Sequence, residues 1–299
     1  MKFKDFLNEA AMKKPKTVEE VYAWLARNDT FCKNSSDPLA YIKKIFVVDP
    51  KTLVVTMVPA AYSDHPDHEE YKTGRLIPTF NNDTDDQDYY TTLPVKFGKL
   101  NTMHFNKNKV TSLKNFPPMV ERYFTMADNP ITSLVGCPKE VGNFHLTRLP
   151  ITRLDAMPKK IHNDCYIREC NNLTSLAGME KTDCEGIELL LEDCRGITNL
   201  EHIPENIESL ALHKMTIEDL SGLHKKIPKI KVISFWDKTV VKHSILSLLK
   251  FDDLYISYHN IDPSFAKALE IVQKHQANKS IPDCMDELIE AGLKEYAKL

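Results

Sequence analysis

The chain has 299 residues, 42% of them hydrophobic and 27% charged, enough for one elongated domain or two compact ones. A formal net charge of -3 supplies no basic field, so neither nucleic acid nor an anionic lipid surface is an expected partner. No apolar run is long enough to cross a membrane as a helix, and seven cysteines without regular pairing point to free thiols in a reducing, cytoplasmic setting.

The first ten residues, Met-Lys-Phe-Lys-Asp-Phe-Leu-Asn-Glu-Ala, lack the apolar stretch of a secretory signal. Phe3, Phe6 and Leu7 fall on one face of a short amphipathic helix. Residues 13–16 are basic, contain Pro15 and read as a linker. Thr17 and Glu20 form a capping box for a helix over 18–27 that buries Val21, Trp24 and Leu25. Asp37-Pro38 opens a second short helix with Leu39 and Ile42 inward. Ile45-Phe46-Val47-Val48 and Leu53-Val54-Val55-Thr56-Met57 flank Asp49-Pro50-Lys51-Thr52 and predict a hairpin.

Residues 63–90 are polar and poor in pattern. Asp64-His65-Pro66-Asp67-His68-Glu69-Glu70 has metal-ligand residue types, but Pro66 blocks a continuous helix and no second ligand group follows. Asp83, Asp85, Asp86 and Asp88 suggest a calcium loop. However, Asp88 and Pro94 stand where that loop needs Gly and Glu. Both stretches are expected to be solvated loops.

From residue 93 the chain repeats itself. An aliphatic–Thr–x–Leu phrase recurs at Val110, Ile131, Ile151, Leu173 and Ile197, with a degraded copy at Ile217. The intervals are 20 to 24 residues. An alternating apolar pair precedes each strand end: Met103/Phe105, Phe124/Met126, Phe144/Leu146, Leu189/Leu191, Leu210/Leu212 and Ile233/Phe235. Period two makes a strand with one buried face. Three residues past the first five pairs stand Asn108, Asn129, Leu149, Cys194 and Met215, and Cys170 stands there when counted from Ile167, with a one-residue insertion read in the turns at Asn171-Asn172 and Arg195-Gly196. Asn in that slot can satisfy backbone groups where the chain leaves the strand. Pro117, Pro138, Pro158 and Pro204 punctuate the returns, outside the sheet. A period in the low twenties predicts a leucine-rich-repeat solenoid, an α/β fold with a parallel sheet.

The outward side chains of such a sheet form columns. One holds His104, Thr125, His145, Tyr166, Leu190, Ala211 and Ser234. The next holds Asn106, Ala127, Thr147, Arg168, Glu192, His213 and Trp236. Arg168 and Glu192 fall on adjacent strands, about 4.8 Å apart, and are expected to pair. Tyr166, Arg168 and Trp236 are residue types enriched in binding hot spots. The expected partner-binding set on this concave face is His104, Tyr123, His145, Tyr166, Arg168, Glu192, His213 and Trp236.

Beyond Trp236, residues 240–249 read as a helix and Leu254-Tyr255-Ile256-Ser257-Tyr258 as one more strand. Asp262-Pro263 starts a helix with Phe265, Leu269 and Val272 on one face. Ile281-Pro282-Asp283 starts the last helix, with Met285, Leu288 and Leu293 inward. No nucleotide-binding, zinc-protease or serine-hydrolase motif occurs. Cys284, near a helix start, is the one thiol expected near the surface, and a helix start can activate a thiol. No base is visible beside it, so no enzyme, cofactor or metal is expected.

The repeats resemble those of tailed-phage leucine-rich-repeat proteins. Asn171-Asn172-Leu173-Thr174-Ser175-Leu176 matches their recurring phrase, and the resemblance covers about half the chain. The leader is similar to the capsid-targeting peptide of internal head proteins of large contractile-tailed phages, in which hydrophobic-x-Glu marks a processing site. Leu7-Asn8-Glu9 followed by Ala10 has that form. This resemblance implies cleavage after Glu9, packaging in the virion interior and delivery to the host cytoplasm. Four segments are therefore expected: leader and linker (1–16), helix/hairpin cap with polar loop (17–92), repeat solenoid (93–238) and C-terminal strand with helical cap (239–299). The expected function is protein binding, to a host or virion partner. The alternatives are a structural internal head component and an enzyme with its site in the C-terminal segment.

Overall fold

The structure, a computed structural model, describes residues 14–28, 36–57, 79–81 and 93–298. The leader with Glu9 and Ala10, the Asp64–Glu70 stretch and the Asp83–Asp88 stretch lie outside the described residues. Contacts divide the chain into a unit over 1–143 and a unit over 144–299.

In the first unit, helix α1 (Val18–Asn28) starts as its sequence dictates. Thr17 Oγ1 accepts the Glu20 N–H and the Glu20 carboxylate accepts the Thr17 N–H, both at 3.2 Å. Val21, Trp24 and Leu25 are buried. Helix α2 (Pro38–Ile45) is capped by Asp37, which accepts the Ala40 N–H at 3.0 Å. Strands β1 (Phe46–Val48) and β2 (Val55–Met57) pair antiparallel. The Asp49 carboxylate closes their turn by accepting the Lys51 and Thr52 N–H groups. Next come β3 (Thr79–Asn81), β4 (Met103–Asn106) and β5 (Met119–Ala127), parallel, with Phe80 level with Phe105 and Phe105 with Met126. Among the described residues a parallel strand thus lies at Thr79–Asn81, inside the stretch expected to be loop. Strand β6 (Glu140–Thr147) runs through the division between the units.

In the second unit, β7 (Lys160–Arg168), β8 (Glu188–Glu192), β9 (Ser209–His213), β11 (Val232–Trp236) and β13 (Tyr255–His259) stack in parallel without a register slip. Cys165, Leu189, Leu210, Ile233 and Ile256 form one inward row; Ile167, Leu191, Leu212 and Phe235 form the next. All nine are almost fully buried. This is the stacked, solenoid-like arrangement that the period predicts. A slip of one residue would turn each row outward, so burial itself fixes the register.

The ladder continues past each strand through a feature the sequence reading did not anticipate. Wherever it is described, the residue after each strand of this stack adopts a left-handed backbone and is not Gly. In the first unit these are Lys107 (φ 53°) and Asp128 (φ 54°); in the second, Arg148, Glu169, Asp193, Lys214, Asp237 and Asn260, with φ from 47° to 53°. Its N–H reaches the carbonyl ending the next strand: Lys107 to Ala127, Arg148 to Arg168, Glu169 to Glu192, Asp193 to His213, Lys214 to Trp236 and Asp237 to His259, at 2.7 to 3.2 Å. The Asn/Cys slot adds to this. Asn129 Nδ2 donates to Phe105 O and Ala127 O, and Cys194 Sγ lies 3.4 Å from Ile167 O and Glu192 O. In the last such turn Thr239, fully buried, takes the role one residue later: its Oγ1 lies 2.8 Å from Leu212 O and 2.6 Å from Trp236 O, and accepts the Met215 N–H. The inserted turn at Arg195-Gly196 requires its Gly, because a Cβ there would stand 2.5 Å from Leu173 O.

The helix expected over 240–249 is not formed. Strand β12 (Val240–His243) pairs in parallel with β10 (Thr216–Asp219), Ser244 turns at φ 63°, and a 3-10 turn follows over Ile245–Lys250. Val240 and Val241 are β-branched and favour strand where a partner strand lies alongside. A short helix, α3 (Leu223–Lys226), precedes β11. Helices α4 (Pro263–His275) and α5 (Ile281–Glu290) begin where expected, capped by Asp262 and Ser280. Helix α4 also meets the last strand: Gln273 Nε2 donates to Ile256 O and Gln276 Nε2 to Leu254 O, so side-chain amides take carbonyls at the sheet edge. Among the described residues no helix is long and apolar enough to cross a membrane.

Thr239→Val should cost about 1–3 kcal/mol in urea unfolding, since it strips a buried donor and acceptor, while Thr239→Ser retains most of the stability. At Lys214, a β-branched residue should cost about 1–2 kcal/mol through the left-handed backbone, and Lys214→Gly should not destabilise; Lys214→Ile against Lys214→Gly in the same assay checks the point.

Candidate functional site

Six of the eight residues expected to bind a partner lie in the second unit, and period-two alternation brings them to the sheet face opposite the core. The register sets three rows there. Asp164, Glu188, Ser209, Val232 and Tyr255 form the first; Tyr166, Leu190, Ala211, Ser234 and Ser257 the second; Arg168, Glu192, His213, Trp236 and His259 the third. The middle row becomes small beyond Leu190, and Leu190, Ala211 and Ser234 are only 6–7% exposed although they face away from the core. The third row beside them holds the larger Glu192, His213 and Trp236. The result is a low floor beside a taller row. Ser234 and Ser257 share a hydrogen bond on this floor at 2.8 Å.

One end of the strip is an aromatic and charged stack. His145 Nε2 and Asp164 Oδ1 are 2.6 Å apart. The His145 ring lies parallel to Tyr166, with centroids 4.5 Å apart and planes within 3°. The Arg168 guanidinium stands 5.1 Å from the Tyr166 ring centroid. Burial, followed by the Glu188 and Asp164 charges, raises the Tyr166 phenol above its ordinary pKa. Arg168 Nε is 3.4 Å from Glu192, which bears out the expected pair. Lys214 Nζ approaches the same carboxylate at 3.9 Å.

The other end is built on Trp236, 39% exposed, with His213 against it at 4.6 Å between centroids. His213 is 9% exposed, and its Nδ1 lies 3.8 Å from Asp237 Oδ2. Asp237 Oδ1 accepts from Asn260 Nδ2 at 3.2 Å. Burial lowers the His213 pKa and outweighs the neighbouring Glu192 and Asp237 charges.

His104 and Tyr123 belong to the first unit. His104 is half-buried on β4; Tyr123 is 37% exposed on β5, with the Arg122 guanidinium 5.9 Å from its ring. Asp164, Glu188, Asp237 and Tyr255 were missed. The first two could have been found by running the alternation one step back from Tyr166 and Leu190. Asp237 could not, because it reaches the strip only through its left-handed turn.

Cys284 is fully buried, and burial pushes its thiol up to about 11, so the expectation of an exposed thiol is corrected. Its position in α5 turns it into the packed interior. Cys170 rises to about 11, and Cys184 and Cys194 to about 12, by the same cause. Away from the strip, a cleft of about 240 Å³ lies among the connecting segments, lined by Asn199, Glu201, Asp219, Ser221 and Lys226. No protein-family model matches the chain, and neither the curated proteins nor the solved structures contain a match to it.

His213 takes up a proton less readily folded than unfolded, where its value is 6.5. Stability should therefore fall as pH drops below 6.5, because the unfolded chain then binds more protons. His213→Gln should flatten part of that slope in denaturation at pH 7 and pH 5. Trp236 emission should quench over the same range with a midpoint below 6.5, and Trp236→Phe should abolish this titration.

Proposed function

We propose that the chain is a non-enzymatic protein-binding module of tailed-phage origin. In this reading the stack is a leucine-rich-repeat solenoid, the N-terminal helices and hairpin are one cap, and α4 and α5 are the other. The recurring Thr-x-Leu phrase, the Asn/Cys slot and the intervals of 20 to 24 residues support the repeat assignment. An open end of such a stack is a bare apolar cross-section, which is why terminal caps are assigned.

One observation carries the binding role. Tyr166, Arg168 and Trp236, each of a type that dominates binding energy, converge with Glu192 and His213 on one face of a register-locked sheet. A face fixed by backbone ladders needs little ordering when a partner arrives, so less of the contact energy is lost. The thiols argue against nucleophilic chemistry: among the described residues the free cysteines at 165, 170, 184, 194 and 284 are buried, and desolvation raises the thiol of the half-buried Cys137 well above its ordinary pKa.

The leader supports packaging in the virion, cleavage after Glu9 and release into the host cytoplasm with the DNA. A structural role among internal head proteins is the competing reading. A photo-crosslinker placed at position 236 should capture a discrete partner, host or virion, and the same group at the exposed position 229 should not; equal capture at both positions would count against the strip. Mass spectrometry of purified virions should find a peptide beginning at Ala10, and its absence together with absence of the protein would remove both head-related readings.

A further inference from the structure

We infer that the strip recognises a cationic protein segment, with a lysine or arginine side chain lying along Trp236 and its charge held by Glu192 and Asp237. This rests on the binding role above and adds the chemistry of the partner.

Charge is the first argument. Asp164, Glu188, Glu192 and Asp237 face Arg168 and Lys214 as the only oppositely charged Lys or Arg in the contacts described above. Four negative charges against two positive leave these residues a net -2. Unmet acceptor capacity is the second. Glu192 touches its two cations at 3.4 and 3.9 Å, both longer than a good hydrogen bond. Asp237 Oδ2 has only the His213 ring, at 3.8 Å. A carboxylate can accept several donors, so both are open to another N–H group.

His213 gives the third argument. Its Nδ1 faces a carboxylate, which favours the proton on that nitrogen and leaves Nε2 an acceptor. Nε2 is buried without a hydrogen-bond partner. Such an atom is costly to leave unpaired, and even covered by its neighbours it adds acceptor character beside Trp236. Trp236 supplies the platform: one face rests on His213 and 39% of the residue is open. A cation over indole gains from the ring's negative face.

The test uses the full chain and three short labelled peptides: arginine alternating with serine, the same with citrulline, and the same with glutamate, at roughly physiological salt. The arginine peptide should bind about tenfold or more tightly than the citrulline peptide, as charge-assisted contacts and a cation over indole together allow. The glutamate peptide should not bind. Glu192→Gln with Asp237→Asn, both conservative and partly exposed, should reduce arginine-peptide affinity by a similar factor, and Trp236→Ala should do the same. Equal affinity for arginine and citrulline, no affinity for arginine, or no effect of the double variant each overturns the inference. Crosslinking at position 236 reports on the binding role separately: capture of a partner there without any arginine preference removes the cationic assignment alone.

Discussion

Each coil passes one N–H to the carbonyl that ends the next strand, and it does so from a residue held in the left-handed region. That bond decides where the strand stops and where the chain turns away from the sheet. Without it, the carbonyl at each strand end would lose a donor, at a cost comparable to a lost hydrogen bond for each coil. The sequence tolerates strained, non-glycine residues such as Glu169, Asp193 and Lys214 at this corner. A glycine would fit the backbone but would leave no side chain there. With side chains present, the corner carries Arg148 against Glu169 at 3.2 Å and Asp237 against Asn260 at 3.2 Å. The corner thus contributes both the turn and part of the charged rim of the strip.

Interior rows follow from the same constraint. With the register held at one end of each strand, residues such as Ile167, Leu191, Leu212 and Phe235 are forced into line, and the face opposite them is forced into line as well. The pairing of Arg168 with Glu192, and the stacking of His145 on Tyr166 and of His213 on Trp236, are consequences of neighbouring strands placing equivalent positions side by side.

Much of this was legible in the sequence, for a physical reason. Period-two apolar pairs spaced by about twenty residues report burial, and burial is a property each residue carries with it. The capping box at Thr17 and the N-cap at Asp262 were legible because capping is local. What failed was non-local. Residues 240–249 form a strand and a 3-10 turn because Thr216–Asp219 lies alongside, and a residue's own helical periodicity holds no trace of that neighbour. Strand β3 hid in a polar stretch because it has only three residues, too few for alternation to show. Asp237 escaped because a left-handed corner redirects its side chain out of the strand period. Cys284 was misjudged because a helix start says nothing about which face turns inward.

The two glutamines of α4 have a consequence beyond local stability. A parallel sheet made of near-identical coils invites templated growth, since its last strand offers the next one the same pattern it received. Gln273 and Gln276 occupy Ile256 O and Leu254 O, two of the acceptors that an added strand would need. Helix α4 therefore closes that edge to an added strand, with side-chain amides standing where a further coil would donate its backbone.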